Sequence, residues 1–474
     1  MSKTNWKIVY TDYRRMEKKA VEYINAGISE LLCRDTGRYV LRVIPCVQEL
    51  PGEGNVILIG QYRENREIRN YVAEAEVPQK GYLLRVLKRK EEPGCVLVII
   101  TAFDAQDLFY GAVDFINDYL TMAAPKSGGL RTRAEVFEHE LPEYSHASSP
   151  MAEKRSVFAW GHTINNYRRY IERMAEMKLN QLILWNDFLP INAKDVVDYA
   201  HEYGIELIWG FPWGWSTNCS EIDLHELGKV KEQIVSLYKN VYCGAGDGIY
   251  FQSFTELDQD RIGGRLIAEA VADFVNDVSA ELYRISPELH IQFGLHATSV
   301  RDHLEYIGKV DPRIEIVWED CGAFPYSYTP VASEEDYLKA EEMTGALVRL
   351  REVNPIGLVY KGVMTQDWQK FVHQAGPYIL GMASEKQQAH DREMLRPIWR
   401  YFQSEWCGNG KYVWRLSRKI HELTGGKVNL NMAAAMDGGM WLPVALMAEL
   451  MWNCEAPYEE IFDRVAKRPC ITMA

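Results

Sequence analysis

Between Ser156 and Ala383 eight short apolar runs follow one another, each ending in polar residues. They are SVFAWG (156–161), QLILWN (181–186), ELIWGF (206–211), GIYFQS (248–253), HIQFGL (290–295), IEIVWE (314–319), GLVYKG (357–362) and YILGMA (378–383). Most of the gaps between them hold enough residues for a helix. Parallel strands buried on both faces are continuously apolar, so this alternation predicts an α/β fold, a (β/α)8 TIM barrel. Such barrels place their chemistry on the loops after the C-terminal ends of the strands. The residues following each run are therefore the candidates for function.

On either side the pattern changes. Residues 1–125 open with an extended segment, TNWKIVYT, and an amphipathic helix in which Val21, Ile24, Ile28 and Leu31 recur at helical spacing. The strand-like runs YVLRVIP, NVILIG, GYLLRVLK and CVLVIITA follow, and the helix AQDLFYGAVDFINDYLTM closes a preceding α/β sandwich domain. Residues 126–150, rich in Gly, Pro, Ser and charge, read as a linker. The barrel is expected over 151–385 and an α-helical C-terminal extension over 386–474. Within that extension, GGKVNLNMAAAMDGGMW (425–441) reads as a turn-rich hairpin or loop and carries no phosphate-cradling glycine pattern.

Composition narrows the function. The 474 residues exceed one ordinary domain, and 47% hydrophobic with 25% charged residues describes a globular protein. A net charge of −13 argues against a nucleic-acid partner, which requires a basic face. No apolar run approaches the ~20 residues of a membrane span, and no secretory signal stands out, so no membrane partner and a cytoplasmic location are expected. The nine cysteines are scattered, odd in number and form no CxxC pair, which suits a reducing compartment and indicates neither zinc nor a disulfide framework. No cofactor is expected.

The strand ends offer carboxylates. Glu256 and Asp258 follow the fourth run, Glu319 and Asp320 end the sixth, Asp187 follows the second, and Asp367 and Glu385 lie beyond the seventh and eighth. Glycoside hydrolysis generally needs two carboxyl groups flanking the scissile bond. Glu256 lies three residues past its run between Phe254 and Leu257, neighbours that favour a protonated carboxyl and so a general acid. Glu319 and Asp320 are adjacent, so an extended strand points them to opposite sides. Lys361, after the seventh run, is a candidate for holding a uronate carboxylate or for pairing with Glu319 or Asp320.

Aromatic residues concentrate on the same predicted face. Trp213 and Trp215 lie in GFPWGWSTN, and Trp160, Trp185, Trp318, Tyr326 and Trp368 lie at or near other strand ends. Sugar rings stack on such surfaces. His162, Asn165, Asn186 and His296 are candidates for hydrogen bonds to sugar hydroxyls, with Asn165 alternatively capping the first barrel helix. No histidine spacing typical of a metal site is present.

The segment from Gly81 to Leu120 resembles the small α/β domain that precedes the barrel in β-hexosaminidases and α-glucuronidases, through Gly81, Tyr82, Asp107, Leu108, Tyr110 and Gly111. NNYRRYIERMAEMKLNQLILWND looks like the first helix and second strand of that superfamily, and LPVALMAELMWNCEAPYEEIFDRVAKR resembles the α-glucuronidase tail. The resemblance implies that Glu256 is the acid and that Asp320 or Glu319 activates water. Three departures stand out. Thr255 occupies the position of the acetamido-holding aspartate of hexosaminidases, the paired aspartates of O-GlcNAc hydrolases are missing, and Lys361 ends the strand that carries a second carboxylate in α-glucuronidases.

The resulting expectation is a glycosidase that removes a terminal sugar, a uronic acid or related hexose, from a carbohydrate substrate. Its rivals are a catalytically silent carbohydrate-binding barrel and a metal-dependent lyase or isomerase. A homodimer is a further expectation, since the stripe Leu442, Ala445, Leu446 and Leu450 has either the barrel or a partner to face.

Overall fold

The computed structural model describes residues 5–36, 42–45, 50–123, 141–211, 213, 223–321, 334–351, 356–361, 376–434 and 436–474. They form two compact units: 1–150 with 202–204 and 462–471, and 151–201 with 205–461 and 472–474.

The first unit is built on a six-stranded mixed sheet. Its strands are β1 (Trp6–Tyr10), β2 (Arg42–Pro45), β3 (Asn55–Gln61), β4 (Tyr82–Lys88), β5 (Val96–Ala102) and β6 (Tyr144–Ser148), in the order β2-β1-β3-β5-β4-β6. β4 runs antiparallel to both β5 and β6. The end of the expected linker therefore supplies a sheet strand. The residues that carry the family resemblance are fold builders here. Gly81 has a φ of +102°, and a Cβ there would overlap the Ser148 carbonyl. Its N–H donates to Asp107 Oδ2 at 2.8 Å, and the Tyr82 hydroxyl donates to Asp114. Gly111 lets Tyr82 and Ile100 pack against its helix.

The second unit contains the barrel. Its strands are β7 (Lys154–Trp160), β8 (Gln181–Trp185), β9 (Glu206–Gly210), β10 (Gly248–Gln252), β13 (His290–Leu295), β14 (Glu315–Cys321), β15 (Ile356–Tyr360) and β16 (Val428–Ala433). A short hairpin, β11 (Arg261–Ile262) with β12 (Arg265–Leu266), lies outside it. The eight strands close into a parallel barrel in the order β10-β13-β14-β15-β16-β7-β8-β9. Seven of the eight runs are the expected strands.

The eighth is a correction. YILGMA is irregular, with Ile379 and Met382 exposed, and the closing strand is VNLNMA. Register fixes the assignment: Leu358 pairs with Leu430 on one side, and Met432 pairs with Val157 on the other. The 40-residue helix Glu385–Thr424 joins β15 to β16. Ser384 caps its start, and Gly425 ends it in the left-handed conformation, as expected of a glycine after a helix. The helix Leu442–Trp452 is buried along its whole length. Its stripe of Leu442, Ala445, Leu446 and Leu450 is thus enclosed by the chain itself. No helix among the described residues is long and apolar enough to cross a membrane.

Two substitutions separate the old and new assignments of the eighth strand. Met432→Ala removes a fully buried side chain and is expected to cost about 2–5 kcal/mol in urea unfolding. Ile379→Ala, at an exposed position, is expected to cost less than about 0.5 kcal/mol. The reverse order would restore YILGMA as the buried strand.

Candidate active site

The barrel interior is layered along its axis. At the N-terminal end Ser156 donates to Gln181, and Gln292 donates to Gln181 and to Glu315, at 2.9–3.2 Å. A middle layer that includes Phe158, Ile183, Ile208, Val317 and Val359 is apolar. Above it, at the C-terminal ends of the strands, the interior becomes charged.

Glu319 is at the centre of that charged end and has no solvent exposure. Its Oε1 accepts hydrogen bonds from the Tyr250 hydroxyl and from Gln252 Nε2, the latter at 2.6 Å. Its Oε2 accepts from Gln252 Nε2 at 2.7 Å and from Lys361 Nζ at 2.8 Å. His296 Nε2 stands 3.5 Å from the same oxygen. Tyr250 and Gln252 reach together because they are two residues apart on β10 and face the same side. Burial alone pushes the Glu319 carboxyl up. The Lys361 ammonium and the His296 ring beside it, with the hydrogen bonds from Lys361 and Tyr250, hold it below the usual carboxylate range.

Two local features create the space. The β14–β15 register shifts between Trp318 and Cys321, a bulge that falls on Glu319 and Asp320. Bulges re-aim side chains and are frequent beside active sites. On β13, Gly294 leaves room for the pair, since a Cβ there would overlap both the Tyr250 hydroxyl and Glu319 Oε1.

Glu256 occupies the loop after β10 and is about a third exposed, 34%. The expected enclosure by Phe254 and Leu257 is incomplete, because both of those side chains turn into the fold and leave the carboxylate open. Its Oε2 lies 3.9 Å from His296 Nε2, so the imidazole lies between the two carboxylates.

The other candidates divide. His162 is half-buried and stacks on Trp160, with ring centroids 5.7 Å apart. Burial holds its imidazole below the ordinary value, and Asp187 partly offsets this. Asn186 is buried and accepts from the Tyr378 hydroxyl. Gly161 permits that contact, since a Cβ there would overlap both groups. Tyr378 was not singled out by sequence, because the eighth strand had been assigned across it. Asn165 is half-buried, and its carbonyl accepts from the Ala383 N–H at 2.9 Å, but the helix cap is Asn166.

The structure places the remaining candidates as follows. Trp213 is a core residue, stacked on Phe251 at 3.5 Å and 6° and closed off from a ligand. Lys361 is 4% exposed and already paired with Glu319, so its ammonium does not stand open to a uronate. His296 is enclosed and faces two carboxylates, which removes it from the set expected to meet sugar hydroxyls directly. Trp160, Trp185 and Trp318 are also buried, so these three do not form the expected aromatic face. Trp215, Tyr326, Asp367, Trp368 and the Asp320 side chain lie outside the described residues. Among the described residues no group of three His, Cys, Asp or Glu side chains is arranged to hold a metal ion.

No protein-family model and no curated protein matches the chain. Its backbone is similar in part to that of a GH138 enzyme targeting pectin rhamnogalacturonan II, with a TM-score of 0.46 and 10% identity over 90% of this chain and 46% of that one. It is also similar to CpGH84D, with a TM-score of 0.40 and 12% identity over 72% of this chain and 55% of that one. The chain thus spans about half the length of either structure. Matches this distant assign no reaction, and the fold rests on the closed barrel itself.

Lys361→Met tests the charged cluster. It leaves a buried carboxylate without its cation and is expected to cost about 3–5 kcal/mol at neutral pH in denaturant unfolding. The sign with pH follows from the lowered folded-state pKa. The unfolded chain binds the Glu319 proton first, so this stabilisation is full above about 4.5 and is lost as the pH falls through the folded value. The variant should therefore lose less stability on acidification than the wild type. Equal stability of the two proteins at neutral pH would contradict the pairing.

Proposed function

We propose that the barrel is a glycoside hydrolase that removes a terminal sugar from an oligosaccharide or glycoconjugate, with Glu256 as general acid. The observation that carries this reading is the contrast between two carboxylates at one barrel mouth. Glu256 is open to solvent, whereas Glu319 is enclosed and hydrogen-bonded on both oxygens. A proton donor has to reach its substrate, and of these two carboxylates Glu256 is the one exposed at the barrel mouth.

In this reading Glu256 transfers its proton to the glycosidic oxygen as the bond from that oxygen to the anomeric carbon breaks. The second carboxylate of the pair is Asp320, one residue along from Glu319 at the bulge. It either takes a proton from the attacking water or bonds to the anomeric carbon. A separation of about 6.5–9.5 Å corresponds to the first course and about 5–5.5 Å to the second. Glu319 reacts with neither substrate nor water, and its charge is spent on Lys361. The uronate preference loses the lysine that motivated it, so a neutral hexose is an equal member of the substrate class. The occupied oxygens of Glu319 also favour the rival reading, a carbohydrate-binding barrel without turnover.

A panel of aryl α- and β-glycosides, including glucuronides, N-acetylhexosaminides and neutral sugars, tests this with wild type and Glu256→Gln. Turnover of one class, reduced about 10²-fold or more in the variant, is the expected result. Turnover untouched by the substitution would overturn the role of Glu256. Sugar binding without any turnover would support the binding protein.

A further inference from the structure

The base of the barrel carries polar groups that the mouth does not use. Glu315 on β14 stands against Gly357 on β15, where a Cβ would lie 2.6 Å from Glu315 Oε1. Gly357 pairs with Asn429 on β16, and Asn431, two residues on, pairs with Ser156 on β7. The Ser156 hydroxyl donates to Gln181 Oε1 on β8 at 2.9 Å, and Gln292 Nε2 on β13 donates to the same oxygen at 3.2 Å. The circuit closes where Gln292 Nε2 donates to Glu315 Oε2 at 3.1 Å. Ser156 stands two residues below Phe158 of the apolar middle layer, Glu315 below Val317 and Asn431 below Ala433, so these side chains share that layer's inward face.

The amide groups of this lower layer already donate. Gln292 gives its hydrogens to Gln181 and Glu315, Asn431 Nδ2 donates to the Leu358 carbonyl at 3.2 Å, and Gln181 Nε2 donates to Glu206 at 3.1 Å. The cationic groups are placed elsewhere: His290 Nε2 lies 2.9 Å from the other oxygen of Glu315, and Lys154 pairs with Glu206. Three buried oxygens are left with no donor, Glu315 Oε1, Gln292 Oε1 and Asn431 Oδ1. Their residues are 5%, 0% and 0% exposed, so bulk solvent does not serve them. All the leftover atoms are acceptors. A water molecule has two hydrogens to give and no charge to set against the carboxylate, whereas a hard cation is ligated by oxygens alone.

We infer that Glu315, Gln292 and Asn431 form a site for a monovalent cation of the potassium class at the base of the barrel. Potassium exchanges its water for carbonyl-type oxygens, which the two amides supply. Calcium takes more oxygens, commonly from several carboxylates, and magnesium keeps much of its water. The single free carboxylate oxygen here matches a single positive charge. The ion adds the charge that Glu315 Oε1 lacks and ties β13, β14 and β16 together across the barrel interior. This inference is independent of the reaction proposed for the mouth.

Thermal unfolding of the full chain in potassium, rubidium and choline chlorides, at one ionic strength of about 0.1 M, tests the site without a substrate. Wild type is expected to melt about 2 °C or more higher in potassium or rubidium than in choline, with a saturable dependence on the alkali ion. Glu315→Gln keeps the size of the side chain and removes its charge, so its melting temperature is expected to be the same in all three salts. Wild-type melting that is equal in the three salts, or an alkali-ion response that the variant shares, would overturn the site.

Crystals of the wild type grown in rubidium chloride give a second reading that does not depend on the variant folding. Anomalous density in contact with Glu315 Oε1, Gln292 Oε1 and Asn431 Oδ1 is expected. An ordered water at that place, with no anomalous signal, would make solvent the occupant and overturn the proposal.

Discussion

A carboxylate with no access to water has to receive its hydrogen bonds and its countercharge from the protein, and Glu319 imposes that requirement on the whole barrel mouth. The effective cost of burying an ion is several kcal/mol, which only a cation and well-placed donors offset. Lys361 supplies the charge from β15, while Tyr250 and Gln252 supply donors from β10. Gly294 supplies the space from β13, and a bulge in β14 falls on the carboxylate itself. Four strands are therefore committed to one side chain. His296 is drawn into the same cluster, and through it the cluster reaches Glu256, the carboxylate left open to solvent.

The layering of the interior makes this arrangement self-contained. The apolar middle layer separates the charged mouth from the glutamine and glutamate network at the opposite end. Each polar layer has to satisfy its own groups, because neither can borrow donors across the apolar one.

Much of this was legible in sequence, and the exceptions have specific causes. Seven strands showed as continuous apolar runs because both faces are buried. The eighth did not, because VNLNMA places the polar Asn429 and Asn431 in a buried strand, while YILGMA offered a more apolar decoy. The 40-residue helix before β16 hid it further by looking like the start of a separate helical region. Glu256, Glu319 and Lys361 were identified by their places after strands, and the Glu319–Lys361 pair was one of the two alternatives for that lysine. Burial was not legible. Nothing local distinguishes Trp213, flat against Phe251, from a tryptophan facing solvent. His296 looked like a residue for sugar hydroxyls because Glu256 and Glu319, which lie beside it, come from other parts of the chain.

The resemblance to β-hexosaminidases and α-glucuronidases also takes on a narrower meaning. In the first unit, residues that carry it are there for packing: Gly81 for its backbone angle, Tyr82 and Asp107 for buried hydrogen bonds. They speak for architecture, and the proposed chemistry rests on the mouth of the barrel. The most direct measurement of that chemistry is a crystal structure with a bound iminosugar. The account predicts the ring nitrogen or the anomeric position within about 2.6–3.2 Å of the Glu256 carboxylate, with Glu319 still accepting from Lys361. A sugar bonded to Glu319 in place of Lys361, with Glu256 turned away to solvent, would contradict it.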